Sequence, residues 1–207
     1  MRCLLSFCTL FFVISCKKHD AGTGDNNVTV FNPTTPTFRM GSTWTYRYRS
    51  FEPNGHVSGE DDVILTIVKD TTINSAKYFV TSNNYYFTNK TDGYYEYDRS
   101  THEEHLIYKL NSSDPYQGFY LTTPPSTCIT AFNATIANLD TTYTSYGRNY
   151  DKLVSYIFDN FSTNCQFLQT YSKEMYSPKF GLKIMSVFLT GTPPTESQLV
   201  ELESFTY

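Results

Sequence analysis

The sequence predicts an all-β protein: a curved antiparallel sheet, as a half-barrel or β-sandwich, meander-like and with few or no helices. Three observations carry that expectation. From Met40 onward, short runs of alternating polarity recur every 8 to 15 residues or so, separated by turn residues. No stretch sustains a helical 3.6-residue period. Eighteen tyrosines and sixteen phenylalanines supply the aromatic side chains that pack best on a pleated surface.

Taken in order, "STWTYRYRSF" sets Trp44, Tyr46 and Tyr48 on one face and Thr45, Arg47 and Arg49 on the other, a half-buried strand. "PNG" at 53–55 turns the chain. "DVILTIVKD" is apolar on both faces and is expected at the centre of the sheet, covered on each side. "KYFVTSN" and "YYFTN" follow, and Asp92-Gly93 then separates "YYFTN" from "YYEYD" as a hairpin signal, since both central residues of such a turn tolerate positive φ. "HLIYKL" and "GFYLTT" continue the series. The stretch 123–150, with Pro124-Pro125 and its Asn/Thr clusters, reads as less regular. "KLVSYIFD", "CQFLQTYSKEMY", "GLKIMSVFLTG" and "QLVELESFTY" close the sheet; Thr195-x-x-Gln198 is the competing start of a short terminal helix. Pro178 and Gly181 in "SPKFG" make a turn between two of these strands.

The N-terminus obeys another logic. Met1-Arg2 is followed by an apolar run, Cys3 to Ile14, which is too short for a bilayer span of ~20 residues and of signal-peptide length. Val13-Ile14-Ser15-Cys16 then gives way to Lys17-Lys18-His19-Asp20. These residues resemble the lipobox of bacterial lipoproteins. The resemblance implies cleavage before Cys16 and a diacylglyceryl group with a further acyl chain, such as palmitate, at Cys16. Acyl chains contribute ~0.8 kcal/mol per buried methylene, and more than one is needed for a lasting anchor. Lys17 in place of an aspartate resembles lipoproteins sent on to the outer membrane. Residues 1–15 are thus a lipoprotein signal peptide, 16–37 a lipidated N-terminus with a Gly/Asn/Thr/Pro-rich tether spanning roughly 25 Å, and 38–207 one β domain. After processing, two cysteines besides Cys16 remain, Cys128 and Cys165. In an oxidising compartment a bridge between them, closing a loop of about forty residues, would stabilise by roughly 3 to 4 kcal/mol. Two separate buried thiols are the alternative.

"MGSTWTYRYRS", "TDGYYEYD", "EMYSPKFG" and the terminal "LVELESFTY" are similar to pieces found in a broad group of small β-rich Gram-negative envelope lipoproteins, marked by Gly-x-x-Trp-x-Tyr and Tyr-Ser-Pro-x-x-Gly-Leu. That resemblance covers most of the mature chain and implies a half-barrel or sandwich, not a particular activity.

The net charge of −4 includes no basic stripe, so a nucleic-acid partner has no footprint. His102, Glu103, Glu104 and His105 invite a metal, but the histidines are three apart at the start of a strand, where alternation turns them to opposite faces; no metal and no cofactor is expected. Glu60, Asp61 and Asp62 lack the spacing of a calcium loop and read as a charged turn. No pattern selects a carboxylate pair for catalysis, although distant pairs such as Glu96 with Glu174 remain open, so no enzyme is expected. Tyr85, Tyr86, Tyr94, Tyr95 and Tyr97 gather around one hairpin and are the candidate ligand-binding residues, since a tyrosine offers an apolar ring with a polar tip; cross-strand stacking within the sheet is the competing role. The expectation is a membrane-anchored, non-catalytic envelope lipoprotein that binds a glycan, a lipid or an envelope protein, or supports an assembly. A carrier with an apolar cavity for an acyl chain and a glycan-acting enzyme are the alternatives.

Overall fold

The computed structural model describes residues 38–110, 112–119, 130–162, 170–190 and 195–207. The signal segment, the tether, Cys16, Cys128 and Cys165 lie outside them. Among the described residues there is no helix. Twelve strands form a single antiparallel sheet: β1 (Thr43–Phe51), β2 (Val57–Ile73), β3 (Ala76–Thr81), β4 (Tyr86–Lys90), β5 (Gly93–Asp98), β6 (Glu103–Lys109), β7 (Tyr116–Phe119), β8 (Thr130–Ser145), β9 (Arg148–Ser162), β10 (Thr170–Ser177), β11 (Leu182–Thr190) and β12 (Thr195–Thr206). The order is β6-β5-β4-β3-β2-β1-β12-β11-β10-β9-β8-β7. Consecutive strands therefore pair, except β6 with β7, and β12 pairs back onto β1. Among the described residues the β6–β7 junction alone lacks a ladder. The result is an up-and-down meander nearly closed into a barrel, which goes further than a half-barrel and leaves one seam.

Side chains bridge that seam where the backbone does not. The Tyr116 hydroxyl donates to the Ile107 carbonyl at 2.6 Å and accepts from the Lys109 N–H at 3.4 Å. The His105 and Phe119 rings meet at 6.1 Å. Gly118 permits the approach: a Cβ there would sit 2.3 Å from Phe132 Cζ and 2.9 Å from the Leu106 carbonyl oxygen.

Register fixes which faces point inward. Trp44 pairs with Leu65 and Tyr46 with Val63 on one side, and Tyr46 with Leu202 and Tyr48 with Val200 on the other. These residues face the interior. There Trp44, Tyr46, Ile67, Phe87 and Leu202 belong to one buried cluster, and Tyr108, Phe132, Tyr156, Phe158 and Tyr176 to a second. The opposite face of β2 is not covered as its sequence implies, because Ile64 is 60% and Val68 48% exposed. Position in the sheet, rather than double burial, is what "DVILTIVKD" reports. Glu60, Asp61 and Asp62 also lie within β2 rather than in a turn. Two of them flank Arg47 across the ladder, Glu60 at 2.7 Å and Asp62 at 2.8 Å, and Glu203 of β12 approaches at 3.4 Å.

Two local expectations need correction. The 123–150 stretch contains β8, which forms with β9 a long hairpin turned at Tyr146-Gly147, both at positive φ. Its tip reaches β12 and β1, where Ser145 Oγ donates to the Leu202 carbonyl at 3.1 Å and Arg49 donates to the Tyr146 hydroxyl at 2.7 Å. The hairpin signalled by Asp92-Gly93 exists, but Lys90 pairs with Gly93 around Thr91-Asp92. Gly93 is a strand residue chosen for space, since a Cβ would lie 2.4 Å from the Tyr108 carbonyl oxygen. The terminal segment is a strand, and the turn at Pro178–Gly181 is present, with Gly181 at φ +65° and its N–H donating to the Ser177 carbonyl at 2.8 Å.

Candidate functional site

Where the two interior clusters meet, the side chains leave a cavity of about 320 Å³. Strand β1 lines it with Trp44, Tyr46 and Tyr48, and β2 adds Val63 and Leu65. Opposite these stand Phe87 of β4, Tyr94 and Glu96 of β5, and Tyr108 of β6. Glu174 and Tyr176 of β10 and Lys183 of β11 complete the wall, with Tyr85 beside it. On β1, β2 and β5 this follows from alternation, while register shifts beside Tyr94 and Tyr176 let the neighbours Ile107 and Tyr108, and Leu182 and Lys183, line it together.

The rings form a connected set. Tyr108 stacks on Tyr176 with centroids 4.5 Å apart, Tyr94 lies 5.7 and 5.8 Å from those two, and Phe87 stacks on Tyr94 at 5.6 Å. Trp44 meets Phe87 edge-on at 6.0 Å. Most of the tyrosine hydrogens are already committed. Tyr46 donates to the Lys183 carbonyl at 3.0 Å, Tyr176 to Asn89 Oδ1 at 2.6 Å, Tyr108 to Glu174 Oε2, and Tyr94 to Glu96 Oε1 at 3.3 Å. Burial pushes the phenols of Tyr46, Tyr94 and Tyr176 up, so all three stay neutral.

The two carboxylates differ sharply. Glu174 is buried and well supplied, accepting from Tyr108 and from Ser186 Oγ at 2.9 Å, with Lys183 Nζ 3.9 Å away. Glu96 has one long hydrogen bond. Part of its surface remains accessible, but the surrounding protein still strips away most of its hydration. That desolvation pushes its pKa up to about 7, against the opposing pull of Lys183 and the Tyr94 hydroxyl and with a smaller push from Glu174. Near neutrality Glu96 is therefore half protonated.

The structure divides the five tyrosines of the hairpin. Tyr85 and Tyr94 line the cavity. Tyr86 and Tyr97 are buried with Tyr78 and Val80 in a separate cluster, where the Tyr78 and Tyr97 rings lie 5.5 Å apart. Tyr95 donates to Asp92 Oδ2 at 2.8 Å and lies under Lys90 Nζ, 4.3 Å from its ring centroid. The structure also brings Glu96 and Glu174 to one cavity wall, a pair that no sequence spacing singles out. Of the histidine segment, Glu104 accepts from Tyr78 and Lys90, His102 Nδ1 lies 3.3 Å from the Tyr97 hydroxyl, and His105 pairs across the ladder with Glu96. Among the described residues no three potential metal ligands converge. Sequence reasoning misses Trp44, Tyr108, Tyr176 and Lys183 as site residues. The available signal is parity: Glu96 and Glu174 are acids at core-facing positions, between Tyr94 and Asp98 and between Ser172 and Tyr176.

Compared with known proteins, the chain matches no family model, no curated protein and no solved structure.

Proposed function

We propose that this chain is an envelope lipoprotein, anchored through Cys16, whose nearly closed barrel binds a small polar ligand in the cavity between β1, β5 and β10 without transforming it. One observation carries the reading: an aromatic-walled cavity of about 320 Å³ into which a few polar groups converge, the usual composition of a small-molecule site. An acyl chain would satisfy neither Glu96 nor Lys183, so an acyl carrier fits the wall less well. Catalysis by paired carboxylates fits less well too, since Glu174 already serves Tyr108, Ser186 and Lys183. The proposal includes the Cys128–Cys165 bridge. In its support, Thr130 pairs with Ser162, and in sequence Cys128 lies two residues before the first and Cys165 three after the second.

Trp44 is the only tryptophan and lines the cavity, so its emission reports on occupancy. Screening the full chain against polar small molecules is expected to find saturable changes in Trp44 emission. Val63→Phe, which fills the cavity from β2, is expected to abolish them. Retention of every response in Val63→Phe, with the variant still folded, would place binding elsewhere and overturn the reading.

A further inference from the structure

The chemistry of the ligand is written in which polar atoms the cavity leaves unused. This step rests on the cavity being a binding site. Four phenol hydrogens on its wall, those of Tyr46, Tyr94, Tyr108 and Tyr176, are spent on protein acceptors. What those tyrosines still present inward is their rings. Glu174 accepts two hydrogen bonds, from Tyr108 and Ser186. Glu96 accepts one: an ionised carboxylate offers about four acceptor sites, and a single hydrogen bond of 3.3 Å occupies one of them. The wall still holds donors on Tyr48, Tyr85, Asn83 and Lys183, but its least satisfied group is the Glu96 carboxylate set among ring faces, which is the complement of a donor with positive charge.

The charges agree. Glu96 and Glu174 carry two negative charges when ionised, against the single positive charge of Lys183, which already leans to Glu174 at 3.9 Å. The other groups facing Glu96 are Tyr94 on its own strand, Tyr85 and Tyr48 across the cavity, and His105 opposite it on β6, whose ring packs against Phe119 at 6.1 Å. A neutral sugar would leave the negative charge of Glu96 uncompensated, and an anion would meet the carboxylates head on. We propose that the cavity takes a small organic ammonium ion with an apolar body, its N–H groups on the Glu96 carboxylate and its body against the rings of Trp44, Phe87 and Tyr94.

Such a cation draws on two interactions, a charge-assisted hydrogen bond and attraction to aromatic faces. It also fixes a linkage. Placing an ammonium on Glu96 favours its ionised form, so binding near pH 7 releases roughly half a proton from that carboxyl. A neutral ligand of the same shape releases none.

The test uses phenethylamine, the equally sized neutral 2-phenylethanol and the anion phenylacetate, titrated into the full chain with Trp44 emission and calorimetry as readouts. Phenethylamine is expected to bind at least tenfold more tightly than 2-phenylethanol, and phenylacetate not at all. Its binding heat is expected to vary with the ionisation enthalpy of the buffer. Glu96→Gln, close to isosteric, is expected to erase the tenfold preference and the proton release. Equal affinity for amine and alcohol, or an amine preference that survives in Glu96→Gln, would overturn the ammonium assignment while leaving the cavity a binding site. Amine binding undiminished in folded Val63→Phe would instead sink the cavity reading on which it rests.

Discussion

Glu96 links the fold to pH at the scale of one residue. Its native pKa of about 7 stands above the ordinary value of 4.5, chiefly because of desolvation. Between those two values the native state holds more protons than the unfolded chain. Stability from this group is therefore complete below pH 4.5 and is lost as pH rises through 7. Contact with cavity water moderates the effect, which is on the order of 2 kcal/mol. Glu96→Gln removes the titration. Its melting midpoint is expected to match wild type at pH 4 and to exceed it by about 5 °C at pH 8, in a domain of this size. Midpoints that fall in parallel across the range would show that Glu96 titrates normally.

At the scale of elements, the seam is the place where the barrel depends on side chains. A ladder repeats its hydrogen bonds along the whole strand, whereas β6 and β7 share the bonds of one tyrosine hydroxyl. Tyr116→Phe keeps the ring against Phe132, 6.1 Å away, and deletes only the polar bridge. The expected cost is about 1 kcal/mol, the net value of such a bond. The sharper readout is local: amide exchange should quicken at Lys109 and along 116–119, with the β1–β12 amides unchanged. Uniform exchange across both regions would mean that the ring contacts alone hold the seam. Strand-by-strand legibility varies for physical reasons. β1 is plain because bulky residues alternate with polar ones, and β5 and β11 because aromatic or apolar runs sit next to turn residues. β8 is obscure because Phe132, Ala134 and Ile136 alternate with Asn133 and Thr135, a pattern in which the small alanine is buried and carries little hydrophobic signal. The Asp92-Gly93 signal reveals its hairpin but not its turn, since a sequence cannot tell a glycine kept for φ from one kept for clearance. Likewise the tyrosine cluster points to the right hairpin, yet only the barrel's curvature selects Tyr85 and Tyr94 for the cavity and brings Glu174 and Lys183 across from the far half of the chain.

At the scale of the whole molecule, the barrel's polarity bears on how it meets a membrane. A membrane-spanning barrel is apolar outside and polar within. Here the interior is packed with Trp44, Tyr156, Phe158 and Tyr176, while the outer side of β1, β2 and β12 carries Arg47 with Glu60, Asp62 and Glu203. Burying that ion network in hydrocarbon would cost several kcal/mol for each charge. On the proposed reading attachment then falls to Cys16, where two or more acyl chains would hold far more tightly than one, and a tether of about twenty residues would leave the barrel free of the headgroups. In a Gram-negative host, wild type is therefore expected to sediment with membranes and to carry an intact mass lacking residues 1–15 and increased by lipid. Cys16→Ala is expected to lose both properties while keeping the same melting midpoint and Trp44 emission, because the pairings of the described strands fall between Thr43 and Thr206. Wild type recovered in the soluble fraction as fully as Cys16→Ala would defeat the anchor. A Cys16→Ala barrel that melts well below wild type would show instead that the first 37 residues help to build the fold.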